Sequence, residues 1–433
     1  MNNNEIYGKK AHALIPAGAH TYSRTDEVFP YNAPRVIEKT NGVYCWDVDG
    51  NKFIDYAMAC RSVTVGYGFE RIANAAIEQI RNGNTASKAS KVEVDAAETL
   101  VNLIPWVDMV KFAKNGSTVT TAAVKLARAY TGKKYVVRCK EHSFFSYDDW
   151  FIGDTVMDCG IPEENKKLTL QFNYNNIESI KNIFEQYKGE IACLIMEPVE
   201  SEEPVDDFLN KVRALCTEYG VVFILDEMIT GFRWDIQGAC KYYNVEPDLV
   251  TYGKGMANGF SVAALGGKKE IMELGGLIPE RERVFLISTT HGAEMSSLGA
   301  FIETINVYKD LNVTDHIWKI GKTLCDGIVD IAKENNLSDY IYYTGAECSP
   351  NLVICGKNKQ PSLEYRTVIV SEMIKHGILM PYISIAYEHT DVEINETLEA
   401  FRKAIKVYAN ALNDDVNKYI VGEPIKPVFR KYN

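Results

Sequence analysis

The sequence predicts an α/β fold: a large domain on a mainly parallel sheet, and a smaller α+β domain drawn from both chain ends. Three observations predict it. Short apolar runs alternate with helical patterns through the middle of the chain, as expected for strands covered on both faces by crossover helices. The two ends break that rhythm. The chain is 433 residues long and 46% hydrophobic, enough for two cores.

The elements follow in chain order. Residues 42–56 (GVYCWDVDGNKFIDY) alternate bulky and polar side chains around Asp49-Gly50, a hairpin signal. Residues 119–130 (VTTAAVKLARAY) carry small and apolar residues at helical spacing. Ile191–Met196 (IACLIM) is too short for a helix and suits a buried strand. Residues 205–219 read as a helix closed by Gly220 at its C′ position. Residues 221–225 (VVFIL) are a second buried strand, and Leu249–Tyr252 a third, ending at Gly253. From about residue 326 helices and short strands mix. The expected domains are therefore 60–325 for the large one, with 1–59 and 326–433 forming the small one.

Composition excludes several classes. A net charge of −11 argues against a general nucleic-acid or anionic-membrane surface. The ten cysteines include no CxxC pair and the seven histidines are dispersed, so no metal site is expected. Unpaired cysteines point to a reducing compartment. The opening MNNNEIYGKK has no apolar run of the signal-peptide kind, and no stretch of about 18 apolar residues predicts a membrane span. The expected location is the cytoplasm.

Two segments carry the strongest chemistry. In residues 221–233 (VVFILDEMITGFR) a buried strand runs into Asp226 and Glu227. Ligands of parallel sheets bind beyond the carboxyl ends of strands, and a carboxylate buried there needs a cationic partner. The protonated ring nitrogen of pyridoxal phosphate is one; the bland alternative is a helix cap or an ion pair with Arg233. In residues 247–267 (PDLVTYGKGMANGFSVAALGG), Lys254 follows a strand between Gly253 and Gly255. A lysine in a mostly apolar site has a lowered pKa, which favours imine formation. An exposed loop lysine is the commoner fate. The order of the acid and the lysine, each directly after its own buried strand, makes the pair specific. Asn115-Gly116-Ser117-Thr118 precedes a helix, where free N–H groups, the dipole and two hydroxyls suit a phosphate, even if Ser117 or Thr118 also caps the helix.

Together these segments resemble the class III, fold-type I aminotransferases dependent on pyridoxal 5'-phosphate (PLP), and within them the glutamate-1-semialdehyde aminomutase group. The resemblance runs from about residue 14 to 410. It is carried by Trp46-Asp47-Val48-Asp49-Gly50, by Ala127–Gly132 after the phosphate loop, by the DEMITGFR run from Asp226, and by Pro247-Asp248-Leu249 with Gly253-Lys254. It implies that Lys254 is the Schiff-base lysine and Asp226 the partner of the ring nitrogen. It also implies that Gly116, Ser117 and Thr118 hold the cofactor phosphate, and that His142 and Glu197 lie near the site. In Ser288-Thr289-Thr290-His291-Gly292, Thr289, or failing that Thr290, reaches the phosphate of a neighbouring subunit, which implies a homodimer with shared sites. Arg24 stands where aminomutases place an arginine for the substrate carboxylate, and Arg61 is a second candidate cation.

The departures bear on substrate. Where aminomutases have a Trp-Gly pair this chain reads Cys60-Arg61-Ser62. Where they have a stacking tyrosine it reads Glu141, which leaves His142, Phe144 or Phe145 as the ring on the cofactor. Residues 380–389 (MPYISIAYEH) lack the aminomutase phenylalanine–glutamate pair. The leading reading is transfer of an amino group from a donor such as glutamate to a small or sugar-like carbonyl acceptor. The departures count against a true glutamate-1-semialdehyde 2,1-aminomutase serving tetrapyrrole synthesis. The intact Asp226 and Lys254 count against a catalytically silent binding homologue.

Overall fold

The computed structural model describes residues 2–279 and 281–432. Its contacts divide the chain into two compact units, Met1–Phe69 with Asp315–Arg430, and Glu70–Thr314 with Lys431–Asn433. The divisions lie at 69/70 and 314/315, where the sequence reading put them near 60 and 325.

The smaller unit opens with β1 (Ile37–Asn41), β2 (Tyr44–Asp47) and β3 (Lys52–Asp55). The last two form the expected hairpin, pairing Tyr44 with Ile54 and Trp46 with Lys52. Asp47 makes the turn: its Oδ1 accepts the N–H groups of Asp49 (3.0 Å) and Asn51 (2.8 Å), while Gly50 takes the positive φ of 86°.

The larger unit holds β4 (Met109–Ala113), β5 (Tyr135–Cys139), β6 (Thr169–Phe172), β7 (Ile191–Met196), β8 (Val222–Asp226), β9 (Leu249–Tyr252) and β10 (Ala263–Gly267). They form one sheet in the order β4-β10-β9-β8-β7-β5-β6. Only β10 runs against the rest, pairing antiparallel with both β4 and β9. Every residue of β7, β8, β9 and β10 is buried. That is why their sequences are continuous apolar runs instead of alternating ones. On one face Leu194, Phe223 and Leu225 pack with Phe184, Val212 and Cys216 of the covering helices. Each such large side chain contributes roughly 1.5–3 kcal/mol by leaving water.

The helix read at 119–130 begins earlier, at Gly116, and ends at Thr131. Asn115 is its N-cap and accepts the Thr118 N–H at 2.9 Å, so neither Ser117 nor Thr118 is the cap. The helix read at 205–219 starts later, at Phe208, because Asp206 and Asp207 have φ of 50° and 57°, outside the right-handed helical region. Gly220 ends it in a left-handed conformation, as expected.

The chain returns to the smaller unit with β11 (Ile341–Thr344), β12 (Asn351–Ile354) and β13 (Ile378–Leu379). β13 adds parallel to β3, so this sheet joins both ends of the chain in the order β1-β2-β3-β13. Helices Leu363–Lys375 and Asp391–Asn413 pack together in the same unit, the second started by a capping box of Thr390 and Glu393. Among the described residues no helix is long and apolar enough to cross a membrane.

Candidate active site

Because β4, β5, β7, β8 and β9 run the same way, the segments that leave them share one edge of the sheet. β4 leads to Asn115-Gly116, β5 to His142, β7 to Glu197 and β9 to Lys254, while Asp226 is the last residue of β8. The large-unit candidates that follow these strands are thus brought to the edge where ligands of such sheets bind.

Asp226 is 2% exposed. Its Oδ1 accepts two hydrogen bonds, from Thr251 Oγ1 and from the Met228 N–H, both at 3.0 Å. No donor among the described residues reaches Oδ2. Burial raises the carboxyl to about 6, against the opposing pull of the Lys254 charge and the two hydrogen bonds. The geometry is that of neither a helix cap nor an Arg233 pair. It is a buried carboxylate with one oxygen left for a cationic donor.

Glu227, the next residue, is the contrast. It is fully buried, and its carboxylate accepts from Thr230 Oγ1 and from the N–H groups of Ala239 (3.0 Å) and Cys240 (2.7 Å). Gly238, at φ 89°, makes room for it, since a Cβ there would lie 2.7 Å from Oε1. Glu227 is a structural clasp; Asp226 is not.

Lys254 is half-buried and has φ 44°, a left-handed conformation costing about 1–2 kcal/mol in a residue with a side chain. A Cβ on Gly253 before it would meet Met228 Sδ at 2.6 Å, so any side chain there would have to displace Met228. A Cβ added at Gly116 would meet the same sulfur at 3.0 Å. Met228 therefore threads between the phosphate-loop helix and the lysine turn. The sequence reading missed it, and also missed Thr251, whose only signal was its place in a buried strand beside an acid.

At the head of the Gly116–Thr131 helix, the N–H groups of Gly116 and Ser117 have no partner among the described residues. Thr118 is exposed and donates its N–H and its hydroxyl to Asn115 Oδ1. Ser117 is buried, its hydroxyl accepting the Tyr147 N–H at 3.1 Å and keeping its own proton to donate. Free donors on a 16-residue helix suit an anion.

His142 is buried and pushed down to about 3 by that burial, so it is neutral. Its Nδ1 accepts the Glu197 N–H at 2.9 Å, which puts the ring proton on Nε2. Its ring is enclosed by Tyr174 (5.1 Å) and Phe145 (6.1 Å). Phe145 is buried, whereas Phe144 is half exposed and edges against Phe151 at 5.7 Å. Glu141 is tied away by Asn173 Nδ2 (2.8 Å) and the Tyr174 N–H (2.9 Å). Thr289 and Thr290 are both exposed, in a turn where the Gly292 N–H donates to Thr289 O at 3.2 Å.

Residues 27–405 match the family described as Aminotransferase class-III. The chain belongs to the class-III aminotransferases. Its similarity to relatives in this family is substantial. It is 31% identical over 421 residues to a glutamate-1-semialdehyde 2,1-aminomutase of Francisella philomiragia, covering 90% of this chain and 95% of that one. The aminomutase of Francisella tularensis strain SCHU S4 is also 31% identical, with 93% and 98% covered. Among solved class-III-like folds, the FumI protein of Sphingopyxis sp. MTA144, in its PLP internal aldimine form, superposes with a TM-score of 0.86 at 24% identity over 98% of both chains. An omega-transaminase from Sphaerobacter thermophilus gives 0.84 at 21% identity over 94% and 98%. The chain thus has the fold-type I architecture.

Arg24 and Arg61 lie in the smaller unit. The backbone of residues 58–61 is left-handed throughout: Met58, Ala59, Cys60 and Arg61 have φ of 41°, 49°, 60° and 65°. Four consecutive left-handed residues without a glycine cost roughly 4–8 kcal/mol at about 1–2 each. Asp55 holds the turn, its Oδ1 accepting the N–H groups of Ala57 (2.8 Å) and Met58 (3.3 Å) and its Oδ2 the Tyr67 hydroxyl (2.7 Å). Ser62 Oγ closes it on Ala59 O at 2.7 Å. Met58 is anchored in an apolar cluster with Val43, Val63 and Ala386.

Proposed function

We propose that this class-III aminotransferase uses pyridoxal 5'-phosphate to move an amino group from a donor such as glutamate to a small or sugar-like carbonyl acceptor. The observation that carries the reading is the spare Oδ2 of buried Asp226, one strand away from the Lys254 turn. PLP supplies an electron sink when its ring nitrogen is protonated. The buried Asp226 carboxylate would face that nitrogen and keep it charged. Lys254 Nζ would be the covalent anchor, and the same amine would take and return the proton of the substrate carbon. Gly116, Ser117 and Thr118 hold the phosphate. Thr289 or Thr290 reaches the phosphate of a second copy in a homodimer. His142 and Glu197 brace one side of the cofactor. Arg24 and Arg61 hold acidic groups of the substrate. The larger unit is the cofactor-binding domain. Ten free cysteines suit a reducing compartment, the cytoplasm.

A second reading is favoured by the curated relatives, which are named as aminomutases. An aminomutase returns the nitrogen to the same carbon skeleton and needs no external donor. Borohydride reduction of the PLP-loaded protein, followed by peptide mapping, tests the cofactor reading. The label is expected on Lys254; a label elsewhere, or none, overturns it. Efficient turnover of glutamate-1-semialdehyde without a donor would replace the aminotransferase by the aminomutase.

A further inference from the structure

Residues 145–150 lie against the opening turns of the Gly116–Thr131 helix, tied there by groups that the proposed mechanism does not use. Ser117 and Thr121 stand at i and i+4, so they share one face of that helix. Beside them Thr120 Oγ1 donates to the Phe145 carbonyl at 2.8 Å. Thr121 Oγ1 is the hub. Its single proton goes to Asp148 Oδ2, because a carboxylate can only accept. Its lone pairs then take the Trp150 Nε1–H at 2.8 Å and the Ser146 hydroxyl at 3.0 Å. One hydroxyl is thereby used to its full bonding capacity.

The surrounding groups hold this hub in place. Asp148 is the N-cap of the short helix Asp149–Ile152, yet its side chain makes no capping bond and goes to Thr121 instead. Trp150 is pinned by its carbonyl, which accepts from Thr169 Oγ1 at 2.5 Å. Ser146 is completely buried, and its Oγ accepts the Asp148 N–H at 3.1 Å. Tyr147 lies between those two residues with its side chain exposed, so it is the backbone that is fixed there. The Tyr147 N–H donates to Ser117 Oγ at 3.1 Å. A hydroxyl oxygen that accepts on one side has to send its own proton another way. The Ser117 proton is then left for an anion at the helix head.

We propose that Thr121, anchored by Asp148, is a positioning residue for the cofactor phosphate. It holds residues 146–148 so that the Tyr147 N–H occupies Ser117 Oγ and the Ser117 proton stays ready for the phosphate. An unheld hydroxyl rotates, and ordering it on binding costs affinity. The proposal rests on the reading that Ser117 grips the phosphate, and adds the device that orients it.

The test compares PLP with pyridoxal, which has the same ring and aldehyde but no phosphate. Dissociation constants are read from cofactor absorbance on titrating the cofactor-free protein. Ser117→Ala should weaken PLP about 10-fold and leave pyridoxal unchanged. Thr121→Val should weaken PLP about 3- to 10-fold, again with pyridoxal unchanged, while Thr121→Ser keeps the hydroxyl and should bind both like the wild type. Ser117→Ala combined with Thr121→Val should bind PLP no more weakly than Ser117→Ala alone, because both changes remove the same bond. Phosphorus NMR of the PLP-loaded protein should show the Thr121→Val resonance displaced toward that of Ser117→Ala. If Thr121→Val does not fold, Asp148→Ala and Asp148→Asn give the same comparison, with the smaller loss in Asp148→Asn, which keeps an acceptor oxygen. Equal losses of PLP and pyridoxal in Thr121→Val, or additive losses in the combined variant, make Thr121 a structural brace and overturn the proposal. Unchanged PLP affinity in Ser117→Ala overturns the phosphate reading itself, so the two failures are told apart.

Discussion

At the carboxyl edge of the seven-stranded sheet, Asp226 ends a regular strand and keeps one oxygen free. At the 58–61 turn of the smaller unit the polar groups of Asp55 are all engaged, and it is the backbone that is out of the ordinary. Under the proposed function the first region works through a buried carboxylate at a strand end. Under the proposed function the second works through a strained turn that carries Arg61. On that reading the chemistry common to every substrate belongs to the sheet edge, and the acidic groups of particular substrates fall to the turn. Damage to the two should therefore look different. Variants of the edge lose rate with all substrates alike, and variants of the turn lose particular ones.

The largest effect sharpens this directly. Lys254→Ala should still bind PLP but lose turnover by several orders of magnitude with every donor and acceptor, since covalent anchor and proton carrier vanish together. Steady-state rates over a donor panel check it. A loss confined to one donor would erase the distinction between the regions.

Next comes the cost of the free oxygen. Asp226 titrates at about 6 in the folded protein and near the ordinary 3.9 when unfolded. Its folded value is raised, so ionisation destabilises the fold. The penalty is fully present above about pH 6, shrinks as pH falls, and is gone below about pH 4. Asp226→Asn, without cofactor, should therefore be more stable than the wild type by up to about 3 kcal/mol at pH 8, with no difference near pH 4. Denaturant melts at the two pH values measure this. A destabilised Asp226→Asn at pH 8 would make Asp226 a structural clasp like Glu227.

The smallest effect lies in the turn. Ala59→Gly removes a Cβ from a left-handed residue at φ 49° and should raise stability by about 1 kcal/mol, despite the extra freedom of the unfolded chain. A lower melting temperature would mean that the turn carries no strain.

The two regions also differed in how legible they were. β7, β8 and β9 were readable because strands buried on both faces must be continuous apolar runs, and the candidate acid and lysine follow them directly. The hairpin was readable from Asp49-Gly50. The phosphate-loop helix was read three residues late, because Asn115 outcompetes two hydroxyl residues for the cap. The turn was not readable at all. A run of positive φ is normally signalled by glycine, and MACR has none. Tyr382 was missed for a related reason: nothing local in residues 380–389 says that a phenol there meets an arginine some 320 residues earlier.

Turnover of the PLP-loaded Asp226→Asn enzyme tests most directly whether Asp226 is the partner of the ring nitrogen. This change keeps the shape, the Thr251 contact and Lys254, and removes only the charge opposite the ring nitrogen. Turnover is predicted to fall about 100-fold or more, at least roughly 2.7 kcal/mol in the barrier, by a similar factor for all substrates. Near-normal turnover with Lys254 still labelled by borohydride would contradict the account and place the partner of the ring nitrogen elsewhere.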